Sequence, residues 1–538
     1  MTRPRSYAFF LGILLSFPSA QQLFAQSSNE VTTVNTSSSI QSNSNQRSIF
    51  TTYDISNVKI RTFDNLQLNA RLYAPKSLFF KGKRPTIIFV NSWTMPDFEY
   101  EVQARKFAAD GYVVLSYATR GFGGSDGTVT VGGTNDIQDI STIIDWMEAN
   151  TRVDVANIAM AGISYGGGIS LLGLAHEPRI KTAASMSGWG NLQKSLYRND
   201  TIQNTWLQIL LHSGQLTGHL DPDLAVQVKQ MQDRSDVQGT IDWAAARSAE
   251  TFVDKINERK APVFVENSFL DALFPPLQMR GFYEKLEGPK SMTVDEGIHA
   301  SASVSGLAGL PNPVWSDLHA WMDHWLIDES RPIHTGITYR THSTTESYKT
   351  FPALNSNTPR FTALNTLEKD SSGNSVIHFT GAIDSGATSG IPLLSDGLSG
   401  VIGTPVVKNI AAIDRRYAAV LRSEPTTRAL TVRGAPRLHF RLMPHDTPVT
   451  LVGYLYDVDG LGSGTLVSYS VMSLHEAADA PLGIDFDLNM TAFTVAKGHR
   501  LVVAIDTIDS LYAPAATHPY QLSISATPGL TLDLPLVP

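Results

Sequence analysis

From about residue 48 to 335, apolar runs of strand length alternate with segments of helical periodicity, and this alternation restricts the possible folds more than any other feature of the chain. A strand that is apolar throughout needs cover on both faces, so the pattern predicts a mostly parallel sheet flanked by helices. The spacing predicts strands at 66–73, 86–90, 112–117, 158–161, 180–187, 263–267 and 291–294. Helices are expected near 98–109, 136–149, 165–175, 274–286 and 314–327. Residues 188–258 interrupt the alternation with amphipathic sequence such as NTWLQILLHSG, too long for an ordinary connection, and are expected to cap the edge of the sheet. Beyond residue 335 the helical period disappears. Short strands such as LHFRLMP, TLVGYLYDV and RLVVAID follow one another between Gly, Pro, Asp and Asn as far as Pro538. The expected fold class is α/β with a helical cap over 48–335, followed by an all-β sandwich over 336–538.

Ahead of this body, Arg3 and Arg5 precede an apolar run from Tyr7 to Phe17, and small residues follow at Ser19, Ala20 and Ala25. That layout predicts a secretory signal peptide over 1–25, because the run is shorter than the roughly 18 residues a membrane anchor needs. The mature chain is expected to be secreted or periplasmic, without a membrane span. In 26–47, 17 of 22 residues are Ser, Thr, Asn or Gln, the composition of a flexible polar linker. The formal charge of -8 is spread without basic clusters, so nucleic acid is not an expected partner. With no cysteine, a thiolate nucleophile, disulfides and iron–sulfur or thiolate metal sites are excluded. No cofactor or metal is expected. Asp457 and Asp459, with the glycines to Gly464, lack the spacing and closing glutamate of a calcium loop and read as a turn.

In an open α/β sheet, chemistry belongs at the carboxyl ends of the parallel strands. There Gly162-Ile163-Ser164-Tyr165-Gly166 matches G-x-S-x-G, a tight strand-to-helix turn that lifts a serine hydroxyl out of the backbone. The bare pattern is weak and occurs twice. Gly123-Gly124-Ser125-Asp126-Gly127 also fits, but TVTVGG follows it instead of a helix, whereas Ser164 lies between the strand IAMA and the helical GGGISLLGLA. Ser164 is therefore the expected nucleophile, above a helix N-terminus that favours developing negative charge. A serine needs a base and an orienting carboxylate. Of fourteen histidines, His299 alone follows a late strand, in SMTVDEGIHASAS, whereas His319 and His324 ride a Trp-rich helix. Asp271, after the strand PVFVEN, completes the order Ser, Asp, His of the α/β-hydrolase fold; Asp295, four residues before His299, is its competitor.

The tetrahedral oxyanion needs two donors, each contributing roughly 3 kcal/mol to barrier lowering. One is expected from the backbone N–H of Tyr165. The other should come from Asn91-Ser92-Trp93, after the strand TIIFV, with Trp93 offering its backbone or indole N–H or walling the acyl pocket. The loop from Arg120 to Ser125 is expected to buttress the serine turn.

These residues amount to a resemblance. RGFGGSDG, DIQDISTIIDWM, GISYGGG, LDALFPPLQ and GIH resemble the hydrolase domain of the X-prolyl dipeptidyl aminopeptidase and cocaine esterase family. LRSEP, VRGAPRLHFRL, LVGYLYDVDGLGSG and FTVAKGHRLVVAI are similar to its C-terminal jelly-roll domain, so the likeness covers about 55–535. It implies an α/β-hydrolase fold with a jelly roll, Ser164, Asp271 and His299 as triad, and Tyr165 as a backbone oxyanion donor. It also implies ester or amide hydrolysis without metal or cofactor. The chain departs from the family at Trp93, where relatives of cocaine esterase present a tyrosine hydroxyl, and at Ala118-Thr119, where an aspartate usually precedes the Arg-Gly of the buttress loop.

The expected function is a secreted serine hydrolase of carboxylic esters, acting on a small-molecule or polymeric ester or amide substrate. An X-prolyl dipeptidyl peptidase and an amide acylase are the alternatives. An exopeptidase must pair the substrate's free ammonium with a carboxylate, for which Glu266 and Asp221 are the candidates. A polymer-binding protein with an inactive hydrolase fold is the non-enzymatic alternative.

Overall fold

The computed structural model describes residues 51–356, 359–390 and 406–538; the expected signal peptide at 1–25 and linker at 26–47 lie outside the described residues. The first domain is built on one sheet of ten strands: β1 (Tyr53–Arg61), β2 (Gln67–Pro75), β3 (Arg84–Val90), β4 (Val113–Tyr117), β5 (Val153–Ile163), β6 (Ile180–Met186), β7 (Val263–Ser268), β8 (Lys290–Asp295), β9 (Gly336–Arg340) and β10 (Thr345–Tyr348). Their spatial order is β1-β2-β4-β3-β5-β6-β7-β8-β9-β10. From β4 across to β9 every neighbouring pair is parallel, and the antiparallel pairs lie at the two ends. The parallel strands are apolar throughout because both faces are covered. Along β3, Ile87 and Phe89 enter one core while Ile88 and Val90 enter the other, so consecutive side chains serve opposite layers.

Helices α1 (Glu101–Ala109), α2 (Thr134–Asn150) and α3 (Tyr165–His176) cross between the strands. Helix α3 is buried from Tyr165 to Ala175, apolar on every side, which suits its place at the centre of the sheet. The expected cap follows β6 and contains α4 (Asn204–Thr217), α5 (Pro222–Asp233) and α6 (Val237–Ala245). Asp221 and Asp236 cap α5 and α6 by accepting from Asp223 N and Gly239 N. After β7 and β8 come α7 (Pro276–Lys285) and α8 (Pro313–Leu326).

The chain does not leave this sheet at residue 335. β9 and β10 extend its far edge, and β1 adds a strand where the apolar pattern predicts none. From about residue 360 the chain forms an antiparallel jelly-roll sandwich of two six-stranded sheets with a three-stranded ribbon. Its longest hairpin pairs Val449–Val458 with Ser463–Leu474. In the first of these strands Leu451 and Leu455 face the sandwich interior, whereas Val452, Tyr454 and Tyr456 join a second cluster that takes in Ala272, with Trp206 packed against it. This sheet is therefore covered on both sides, and its outer cover includes the loop after β7 and the start of α4. Polar ties reinforce the contact: Ser473 N donates to Asn199 O at 2.9 Å, Thr205 N to Leu511 O at 3.2 Å and Ala513 N to Ile202 O at 3.0 Å.

Candidate active site

Ser164 stands between β5 and α3 at φ 56°, ψ -115°, in the positive-φ region that an L-residue occupies only under constraint. Its N–H donates to Met186 O at 2.8 Å, which ties the turn to β6. The flanking glycines are required by space. A Cβ at Gly166 would overlap the Val90 carbonyl, and one at Gly168 would enter the Trp189 ring. The strained turn is thus closed by steric exclusion at these glycines, and the serine side chain emerges at the carboxyl edge of the sheet.

The structure brings together three of the residues expected to carry chemistry. Ser164 Oγ lies 2.8 Å from His299 Nε2, and His299 Nδ1 lies 2.8 Å from Asp271 Oδ2. Asp271 is almost wholly buried, and its other oxygen accepts from Leu273 N at 2.9 Å and Phe274 N at 2.8 Å. Two backbone amides thus fix the carboxylate before the imidazole meets it, and hydroxyl, imidazole and carboxylate follow one another in a chain of contacts. The loops bearing Asp271 and His299 are laced to each other, Phe269 N donating to Asp295 O and Leu270 N to Gly297 O, both at 2.9 Å. Ala300 N donates to Ser187 Oγ at 3.2 Å, which holds the histidine loop against the end of β6. Phe274 packs edge-on to the imidazole at 5.4 Å between ring centroids, and Trp206 approaches it to 6.0 Å.

Asp295 does not compete for His299. It is buried beside Arg340, with Oδ1 3.3 Å from the guanidinium, and loss of solvent raises its pKa. His319 stacks on Phe107 at 3.7 Å, where burial pushes its pKa down to about 4, and His324 bonds the Arg331 carbonyl at 2.6 Å. In the second G-x-S-x-G match, Ser125 Oγ donates to Ala118 O at 2.8 Å and accepts from Asn69 N at 2.9 Å, so that hydroxyl is spent on the loop. Arg120 forks onto Asp139 at 2.5 Å and Asp64 at 2.6 Å, tying the loop to α2 and to the β1–β2 turn. Asp459 closes a turn by accepting from Leu461 N and Ser463 N, while Asp457 pairs with His499 at 2.9 Å.

Tyr165 N and Trp93 N have no acceptor among the described residues, and both border the cavity that opens at Ser164. The indole of Trp93 is engaged elsewhere: it donates to Leu210 O on α4 at 3.0 Å, so of the two donors Trp93 offers only the backbone one is open. Its ring stands edge-on to Tyr165 and Phe122, forming an aromatic wall. Two residues that sequence reasoning missed shape this loop. The Glu99 carboxylate accepts from Ser92 N at 2.7 Å and Ser92 Oγ at 2.6 Å, and loss of solvent raises its pKa to about 7 despite those donors. Tyr100 hydroxyl accepts from Ile163 N at 2.8 Å, directly before the serine. Their only signal is their place in NSWTMPDFEY, a few residues past β3.

The cavity measures about 130 Å³ and runs from Ser164 beneath α4, α5 and α6. Glu266 and Asp221 are not among its walls. Glu266 is fully buried with Oε2 3.4 Å from Ser187 Oγ, and Asp221 caps α5 and accepts from Thr128. Among the described residues no group of His, Cys, Asp and Glu is placed to hold a metal, and no helix is long and apolar enough to cross a membrane.

Residues 64–301 match the family model of the X-Pro dipeptidyl-peptidase (S15 family), and residues 338–530 match that of the X-Pro dipeptidyl-peptidase C-terminal non-catalytic domain. A putative Xaa-Pro dipeptidyl-peptidase of Bacillus cereus is 21% identical over 243 residues, 40% of each chain, so the match spans well under half of that relative's length. Among solved structures, an aminopeptidase from a marine sediment Thaumarchaeota archaeon superposes with a TM-score of 0.66 at 12% identity, covering 93% of this chain and 99% of that one. An α-amino acid ester hydrolase does so with a TM-score of 0.66 at 15% identity, covering 90% and 97%. Both likenesses are of fold.

Proposed function

This chain belongs to the X-Pro dipeptidyl-peptidase (S15) family of hydrolases, and from that premise we propose that it is a serine hydrolase cleaving carboxylic esters through an acyl-enzyme on Ser164. The observation that carries the reading is the continuous 2.8 Å contact from Ser164 Oγ through His299 to Asp271. His299 Nε2 takes the serine proton as Oγ attacks the carbonyl, returns it to the departing alcohol, and then activates the water that releases the acid. Asp271 holds Nδ1–H toward itself, which fixes the tautomer and stabilises the imidazolium. The amides of Tyr165 and Trp93 receive the oxyanion. The N-terminal segment supports export of the chain before it acts.

A second reading, an X-prolyl dipeptidyl peptidase, is favoured by the family matches. Short-chain nitrophenyl esters set beside Ala-Pro and Gly-Pro nitroanilides separate the two, with Ser164→Ala in parallel. Ester turnover lost in the variant supports the proposal; prolyl anilide turnover without ester turnover replaces it with the second reading. Ester turnover that survives Ser164→Ala rejects Ser164 as the nucleophile.

A further inference from the structure

Among the described residues, no charged side chain lines the cavity at Ser164. Its walls are Leu, Ile, Val, Met and aromatic residues, with uncharged Gln193, Gln227 and Thr240 among them. Met231 and Val228 on α5 and Trp243 on α6 are part of that wall. His299 is not part of the wall. Ser164 thus borders the cavity and His299 does not, so the half of an ester that must stay within reach of the imidazole proton is not the half assigned to the cavity. The half that departs, taking the proton from His299 Nε2, is the alcohol, so the half assigned to the cavity is the acyl group that stays on Oγ.

We infer that the acyl group taken by this enzyme is an uncharged aliphatic chain several carbons long, without the free α-ammonium that an aminoacyl or dipeptidyl substrate carries. The inference rests on the serine-hydrolase reading and narrows it. An ammonium placed there would lose its water and find no carboxylate, because Glu266 is sealed beneath Ser187 and Asp221 is spent on Thr128 and its own helix. A methylene chain loses nothing on leaving water and fills space that water occupies poorly.

The test is kcat/KM for nitrophenyl acetate, butyrate and hexanoate, and for the norleucine ester, which has the hexanoyl skeleton with an ammonium at its α-carbon. The values should rise by about fourfold per methylene, on the order of 10²-fold from acetate to hexanoate. The norleucine ester should fall at least 10²-fold below hexanoate. Met231→Trp, which puts a larger side chain on the cavity wall, should cut the hexanoate-to-acetate ratio by at least tenfold. A flat or falling series, or a norleucine ester as good as hexanoate, overturns the acyl assignment while leaving the esterase reading in place. If no ester is turned over, an ethyl fluorophosphonate probe separates the remaining cases. Labelling at Ser164 overturns the acyl assignment alone, and failure to label overturns the serine-hydrolase reading with it.

Discussion

Around Ser164 the backbone leaves no spare volume: glycines at 162, 166 and 168 pack against main chain or a tryptophan ring, and β3, β5 and β6 hold the turn from three sides. Some forty residues later, α4 buries only Ser213 and Gly214 fully and leaves Trp206, Leu207, Leu210 and Leu211 partly exposed. Both regions border the same cavity, but one is over-determined and the other is held by a few contacts. The lesson is a division of labour. Under the proposed function, chemistry that tolerates little displacement would sit on a sheet turn, and the surface offered to substrate would sit on helices that can repack at small cost.

The sharpest way to break this comparison is to remove the hydroxyl from the rigid side. Ser164→Ala should lower ester kcat/KM by about 10⁴-fold or more with circular dichroism unchanged. Gly166→Ala attacks the packing itself. Driving a methyl into the Val90 carbonyl should cost about 3 kcal/mol in denaturant unfolding and at least 10²-fold in kcat/KM, whereas a single methyl change on α4 should do neither.

Glu99 sharpens the rigid side by its pH response. Its folded pKa of about 7 stands above the ordinary carboxylate value, so its contribution to stability is complete below about pH 4.5 and is lost as pH rises to 7. Glu99→Gln should remove a decline on the order of 3 kcal/mol over that window, measured as the urea midpoint against pH. The smallest effect is expected where the two regions meet. Trp93→Phe deletes the indole donor to Leu210 O but keeps the backbone amide, so it should lower kcat/KM by about tenfold at most and stability by about 1 kcal/mol. A loss of 10³-fold would mean that the indole itself serves the oxyanion.

What was legible in the sequence was local. IAMA followed by GISYGGG carries its strand, turn and helix within a dozen residues, and Asp271 and His299 are each identified by standing just after an apolar strand. What was not legible depended on partners far along the chain. The Trp93 indole pairs with a carbonyl 117 residues away, and no local pattern chooses between that bond and an oxyanion role. β1 alternates half-buried and exposed residues at an antiparallel edge, so it lacks the apolar run that marks its neighbours. β9 and β10 are short alternating strands that read alike whether they open a sandwich or finish a parallel sheet, because the period of a strand says nothing about which strand it will pair with.

That last placement governs where the molecule can be cut. β9 pairs with β8 from Ser291 to Asp295, and the loop carrying His299 begins directly after Asp295. A truncation at residue 335, which looks natural from the sequence, would strip the hydrogen-bonding edge from β8 and present unpaired amides and carbonyls to any other chain in solution. A free-standing version of the first domain must run past Tyr348 to keep the edge of β8 paired and its histidine loop in register.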